Sequence, residues 1–388
     1  MEEAIVSTLP PKSILHYWLQ LVQVRGQDFI RLLDYLSERD LGLLDLALSE
    51  RSIRQLYYIP LRSYFAWHEI VIKSTYSDSY LNWIQKRGLD SFIQKIEICT
   101  SKPYEVDFEH HNLRLLGLTT LKCWFIDPYI CRILSIYCRR LRRLEILNGI
   151  DTCSHRSFQT VFTQCRQLTY LYIAKGLGNA SILRDTLILL SKYCKALQVL
   201  LLVEMNLVNC SSIACLSELT DLKILDLDSI YSDCSFPITV FASNSKLVRV
   251  QLKGYFSHGT VMRALGAHCH SLRHVAIFAA CSDVLTDESV IALITGCPLL
   301  ELIDINWLNG PIDEDFDPAM SVTNAAMYAI AHYCPRLKTF RISSEKPLFY
   351  SDNGLDAIKY GCPLIKAIHN GFEQYFPTPS PDVKIGKV

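Results

Sequence analysis

Several groups of residues in this sequence have the types and spacing that chemistry uses. Fifteen cysteines could serve as metal ligands, disulfide partners or thiolate nucleophiles. His268, Cys269 and His270 stand in a row and offer zinc-type donors, and Glu109, His110 and His111 form a second such group. Asp313, Glu314, Asp315 and Asp317, within NGPIDEDFDP, carry the hard oxygens that hold Ca²⁺. Each reading lacks a part. The acidic run has neither the glycine nor the terminal glutamate of the calcium-loop pattern, and reads as a solvated insertion. His110 and His111 have no second ligand pair at zinc spacing. His268 and His270 fall at a helix end, where an imidazolium can meet exposed carbonyls. No G-x-x-x-x-G-K-[ST] or G-x-G-x-x-G sequence occurs, and Gly176-Leu177-Gly178 is too short to count. Nothing proposes a nucleophile with its base, so no catalytic residue, metal or cofactor is expected, and the chain reads as a non-enzyme.

The cysteines have another explanation, which lies in the elements that position them. Cys138 opens CRRLRRLEI, Cys165 CRQLTYLYI, Cys194 CKALQVLLL, Cys269 CHSLRHVAI, Cys297 CPLLELIDI, Cys334 CPRLKTFRI and Cys362 CPLIKAI. Leu219 and Asn244 take the cysteine's place in two further copies, and the steps run from 25 to 37 residues. A recurring C-x-x-L-x-x-L-x-L is the mark of an array built from one small unit. Two earlier copies are expected to end in Ile93, Ile96 and Ile98, and in Leu121, Trp124 and Ile126, for about eleven strands in all. The longest step, Cys297 to Cys334, contains the acidic insertion.

The stretch from Leu285 to Ile305, LTDESVIALITGCPLLELIDI, shows the grammar of one repeat. Thr286 or Asp287 can cap a helix whose Val290, Leu293 and Ile294 make one apolar stripe. Cys297 ends it, Pro298 cannot continue it comfortably, and Leu300, Ile303 and Ile305 pass into the period-two pattern of a short strand. Cysteine suits the helix end because a small, weakly polar side chain fills a tight gap without demanding a hydrogen bond. These thiols are therefore expected to be reduced and structural.

Composition agrees. Of 388 residues 50% are apolar and 20% charged, enough to build a core, and 39 basic residues balance 39 acidic ones. That balance gives no electrostatic footprint of a general nucleic-acid binder. No run of about 18 uncharged apolar residues exists, since Lys192 and Lys195 interrupt the richest one, so no membrane span is expected. MEEAIVSTLPP is acidic and lacks an apolar signal core, which points to a cytoplasmic or nuclear protein.

The repeat wording resembles that of cysteine-containing leucine-rich repeat proteins of the F-box type, over roughly residues 65 to 372. The resemblance implies an α/β leucine-rich repeat solenoid, a horseshoe with parallel strands on the concave face and helices on the convex face. The sequence departs from the family in one respect: where a cysteine or asparagine usually follows each strand, it has Gly149, Gly176, Met205, Ile230, Tyr255, Ala280 and Leu308. Ahead of the array, FIRLLDYLSERDLGLLDLALSERSIRQLY has helical spacing, with Phe29, Leu32, Leu33 and Leu36 on one stripe and Leu41, Leu44 and Ala47 on the next. YLSERDL with Arg51 and Arg54 resembles the middle of an F-box, without its usual L-P-x-E opening or its tryptophan. That implies a Skp-family adaptor and a cullin ligase as partners, docked through Phe29, Leu33, Leu36, Leu41 and Leu44. Alternatively, these helices only cap the first repeat, as the end of a solenoid requires.

The organisation expected is therefore an amino-terminal segment (1–25), an F-box-like helical module (26–62), leucine-rich repeats (63–372) and a proline-rich tail (373–388) that is long enough to fold across part of the inner face. In each strand the residues flanking the buried leucines point to the concave side. Among them Tyr170, Tyr172, Val199, Leu201, Val203, Asp226, Asp228, Arg249 and Lys253 make an apolar and aromatic centre bordered by charge, the composition of a surface that binds a protein target. The expected role is substrate recognition for a cullin-based ubiquitin ligase. The alternative is an interaction scaffold with a helical cap.

Overall fold

A computed structural model describes residues 61–62, 64–72, 77–99, 113–150, 153–175, 180–205, 210–229, 236–254, 257–280, 285–308, 322–344 and 350–370. Most of the F-box-like module, the acidic insertion, Glu109 to His111 and the tail lie outside these residues, as do Phe29, Leu33, Leu36, Leu41 and Leu44. The chain divides into two compact units, Met1–Tyr231 and Ser232–Val388.

In the first unit β1 (Glu69–Ile72), β2 (Lys95–Ile98), β3 (Thr120–Cys123), β4 (Arg143–Ile146), β5 (Tyr170–Ala174), β6 (Val199–Met205) and β7 (Ile224–Ser229) follow one another in chain order. Each runs parallel to the next and pairs with it. Between them lie α1 (Ser77–Lys86), α2 (Pro128–Tyr137), α3 (His155–Gln164), α4 (Ala180–Tyr193) and 3-10 turns at Asp90–Phe92 and Cys210–Glu218. The second unit repeats the plan with α5 (Thr239–Ser243), β8 (Arg249–Gly254), α6 (His258–His268), β9 (His274–Ala280), α7 (Asp287–Gly296), β10 (Leu302–Leu308), α8 (Asn324–Tyr333), β11 (Thr339–Ser344), α9 (Asp352–Gly361) and β12 (Ala367–Asn370). Parallel strands need a crossover, and the helices and 3-10 turns between them supply it.

The register explains the sequence pattern. Ile70, Ile96, Leu121, Leu144, Leu171, Leu200 and Leu225 form one buried row across the first unit, and Val250, Val275, Ile303 and Phe340 form its counterpart in the second. The first repeat was not legible. Three residues before Ile70, where a leucine is expected, stands Trp67, 73% exposed, and this accounts for a twelfth strand beyond the eleven that the pattern predicts. The β3 repeat is also displaced from its expected place. Leu118, Leu121 and Cys123 are the buried set, while Trp124 is 45% exposed, because the thiol of Cys123 fills the position that isoleucine holds in the neighbouring strands.

Several helix starts are held by side-chain caps, which match amide groups that the helix itself leaves without a partner. Asp127 accepts from the Ile130 amide at 2.7 Å, Ser154 from Ser157 at 3.2 Å, Ser257 from Thr260 at 3.2 Å, and Thr286 from Ser289 at 3.3 Å. Asp127 is the buried one, and Asp127→Ala should cost about 1 kcal/mol, seen as a lower urea midpoint at unchanged slope.

Each recurring cysteine is the hinge between helix and strand. The Cys138, Cys165, Cys269, Cys297, Cys334 and Cys362 amides close the last helical turn onto a carbonyl four residues back, and their own carbonyls accept from the leucine or isoleucine three residues on. The thiols of Cys138, Cys165, Cys269, Cys297 and Cys362 point at the preceding repeat. Cys165 Sγ lies 3.4 Å from the Cys138 carbonyl and Cys297 Sγ 3.3 Å from that of Cys269, with longer contacts at Cys194 and Cys362. The weak donor of the thiol thus joins one repeat to the last. No disulfide joins the described cysteines.

Candidate protein-binding face

The strand face opposite the buried rows in the first unit is built from two aligned files. One runs Lys95, Thr120, Arg143, Tyr170, Val199, Ile224, and the other Glu97, Lys122, Glu145, Tyr172, Leu201, Asp226. At parallel-strand spacing of roughly 4.8 Å, neighbours in a file interact directly. Lys122 Nζ pairs with Glu97 at 2.6 Å, and that bond, reinforced by Glu145 and Glu69, holds its ammonium above the usual lysine range. Arg143 pairs with Glu145 and lays its guanidinium over the Tyr170 ring, 3.7 Å from the centroid. Charge on this flank is thus used within and between the two files, and it fixes the Tyr170 ring.

Tyr170 and Tyr172 are half-buried beside Leu201 and Val203. Burial pushes the Tyr170 phenol up to about 12, against the opposing pull of Arg143, and raises that of Tyr172. Both therefore stay neutral, with an apolar ring and a hydroxyl able to donate and accept, the amphipathic make-up of interface anchors. Val199 and Asp226 share the face but are only 5% and 7% exposed, so they shape it from beneath rather than offer contact area. Val199 lies in register between Tyr170 and Ile224, whose longer side chains shade it. Asp228 is half-buried.

The edge of this patch carries a conformational signature. Lys175 and Glu204 have φ of 60° and 54°, in the left-handed region that non-glycine residues rarely adopt, and the β6–β7 register shifts between Leu202 and Met205. A bulge with strained neighbours re-aims side chains at the strand ends, a feature concentrated at binding sites. Sequence spacing carries no mark of it.

Arg249 and Lys253 stand on the strand face of the second unit with Gln251 between them, and Arg249 Nη2 lies 3.4 Å from Gln251 Oε1. Leu302 and Ala276 share this face with its charged and polar residues, which pair among themselves. Arg341 meets Asp304 at 3.5 Å, where burial raises the carboxyl while Arg341 and His369 oppose the rise. Burial, with Arg249, lowers the His274 imidazole.

The zinc reading of His268 to His270 meets a structural use for those groups. Cys269 is buried and hinges α6, while His270 Nδ1–H donates to the Gly296 carbonyl at 2.8 Å, across the end of the next helix. Among the described residues no three His, Cys, Asp or Glu side chains are grouped to hold a metal, and no helix is long and apolar enough to cross a membrane.

No family model matches this sequence, and no curated protein matches it. Solved structures do. Rad7, in its complex with Elc1 from yeast, is similar at 15% identity over 94% of this chain and 92% of that one, with a TM-score of 0.53. TLR13 in its complex with ssRNA13 is 14% identical over 74% of this chain and 40% of that one, at a TM-score of 0.38. The in-register parallel strands and the likeness to Rad7 together show an α/β leucine-rich-repeat fold.

Proposed function

We propose that this protein is a non-catalytic recognition subunit that holds a target protein on the strand face of its first unit, and that it serves a cullin-based ubiquitin ligase through a Skp-family adaptor. The observation that carries target binding is the patch of Tyr170, Tyr172, Leu201 and Val203, half-buried, contiguous in register and bordered by strained backbone. Such a subunit acts by raising the target's effective concentration at the transfer machinery. Rad7, whose fold is similar, is crystallised with a second chain, Elc1, which supports a fold that works in assemblies. The ligase assignment itself rests on the F-box-like wording of residues 29–57.

A plain scaffold is the second reading, and one observation favours it. Leu61 is fully buried and the Arg62 guanidinium lies over the Phe92 ring, 5.1 Å from its centroid, so the end of the helical module packs onto the first repeats. Affinity capture of purified Skp-family adaptor by the full chain separates the two. If the ligase reading holds, Leu36→Asp with Leu41→Asp weakens capture by about thirtyfold or more, the size of a ~2 kcal/mol apolar anchor, at unchanged helicity. No capture by folded wild-type protein leaves the scaffold.

A further inference from the structure

The turn after α2 has a different chemistry from the strand face. Arg139, Arg140, Arg142 and Arg143 crowd around the single apolar Leu141. Arg143 turns to Glu145 and Tyr170, whereas Arg139, Arg140 and Arg142 are exposed and pair with no described acid. Asp90, the acid in the neighbouring 3-10 turn, is buried and accepts from the Arg114 amide at 2.7 Å.

Beside these arginines lies a hollow of about 590 Å³ lined by Leu116, Gly117, Ile136 and Tyr137, with Arg139 and Arg140 also on its wall. Leu116 is 53% and Ile136 46% exposed, unusual for large aliphatic side chains. Gly117 holds the loop that carries Leu116 flush against the preceding turn, since an added Cβ would stand 2.5 Å from the Ser91 carbonyl. The combination selects the occupant. Unpaired guanidiniums favour carboxylates in forked geometry, and an apolar floor favours one buried aliphatic or aromatic side chain. A nucleic-acid backbone would satisfy the charge but leave the apolar floor unused.

We propose that this hollow docks a short acidic segment of a partner protein, its apolar side chain seated between Leu116 and Ile136 and its carboxylates paired with Arg139 and Arg140. The site is separate from the strand face and independent of the target and ligase readings.

The test pans a random displayed-peptide library on the purified full chain, with Arg139→Glu/Arg140→Glu as counter-selection. Recovered peptides are synthesised, and their affinities measured by fluorescence anisotropy against wild type, the double variant and Ile136→Asp. A single-stranded oligonucleotide of matched charge is measured in parallel. The expected peptides place two or more Asp or Glu residues beside a Leu, Phe or Trp, and lose about tenfold in affinity with either variant, the sum of two exposed ion pairs or of one apolar contact. Their binding should weaken with salt. The changed side chains are exposed, so the unfolding midpoints should match wild type. Winners without acidic residues, winners indifferent to the double variant, an empty selection, or oligonucleotide binding that needs the arginines but not Ile136 would each overturn the proposal.

Discussion

Gly296→Ala should destabilise the second unit by about 3 kcal/mol, the upper end of what overpacking costs in a dense interior. In an unobstructed helix the same change would stabilise by roughly 1 kcal/mol, because glycine is the poorer helix former, so the sign alone is informative. The obstruction is backbone. A Cβ on Gly296 would stand 1.9 Å from the Gly266 carbonyl oxygen, and one on Gly266 would stand 2.1 Å from that of Ala292. Helices α6 and α7 thus touch main chain to main chain, and neither can yield by turning a side chain. Gly259→Ala is the control, since the atoms nearest its Cβ belong to the mobile end of Arg263, at 3.3 Å. Urea unfolding followed by circular dichroism would decide it: a raised midpoint for Gly296→Ala would mean the helices do not approach in this way.

The second large effect is alkaline. Burial pushes the thiols of Cys165, Cys194, Cys269, Cys297 and Cys334 to about 12, against 9.0 for the free group. Below pH 9.0 both folded and unfolded chains keep these protons, and the contribution of burial is complete. Between 9.0 and about 12 the unfolded chain releases them while the folded chain does not, so stability falls as pH rises. Each thiol costs about 1.4 kcal/mol per pH unit in that window. A handful acting together would exhaust the 5–15 kcal/mol of a typical domain within about two units. Tyr170, raised in the same direction, adds to the slope. Urea midpoints across this range, under reductant, should hold level up to about pH 9 and then drop, with Cys165→Ala showing a shallower drop by one thiol's share. A profile flat to pH 11 would contradict so complete a burial.

Most of the fold was legible because one residue type marks one joint. A cysteine that closes a helix and opens a turn repeats wherever that joint repeats, and Leu219 and Asn244 were recognisable as its stand-ins from the leucines that follow. The same logic failed where the mark was absent. Trp67 hid β1, and Trp124 drew the β3 pattern three residues out of place. That displacement had a consequence for the site, since the file Glu97, Lys122, Glu145 appears only once Leu121 is set opposite Leu144. Tyr170, Tyr172, Leu201 and Val203 were readable as neighbours from strand alternation alone. The Arg143–Tyr170 stack, the left-handed Lys175 and Glu204, and the hollow beside Leu116 were not, because each depends on which strand or turn lies alongside.

The cysteine joints also make the protein its own recorder of local motion. A thiol sealed between two repeats can react with an alkylating reagent only while that joint is open, so the labelling rate at Cys138, Cys165, Cys194, Cys269, Cys297, Cys334 and Cys362 measures an opening free energy at each place without any engineered probe. In an array whose repeats lean only on their neighbours, these seven rates would trace where opening begins and how far it spreads along the chain.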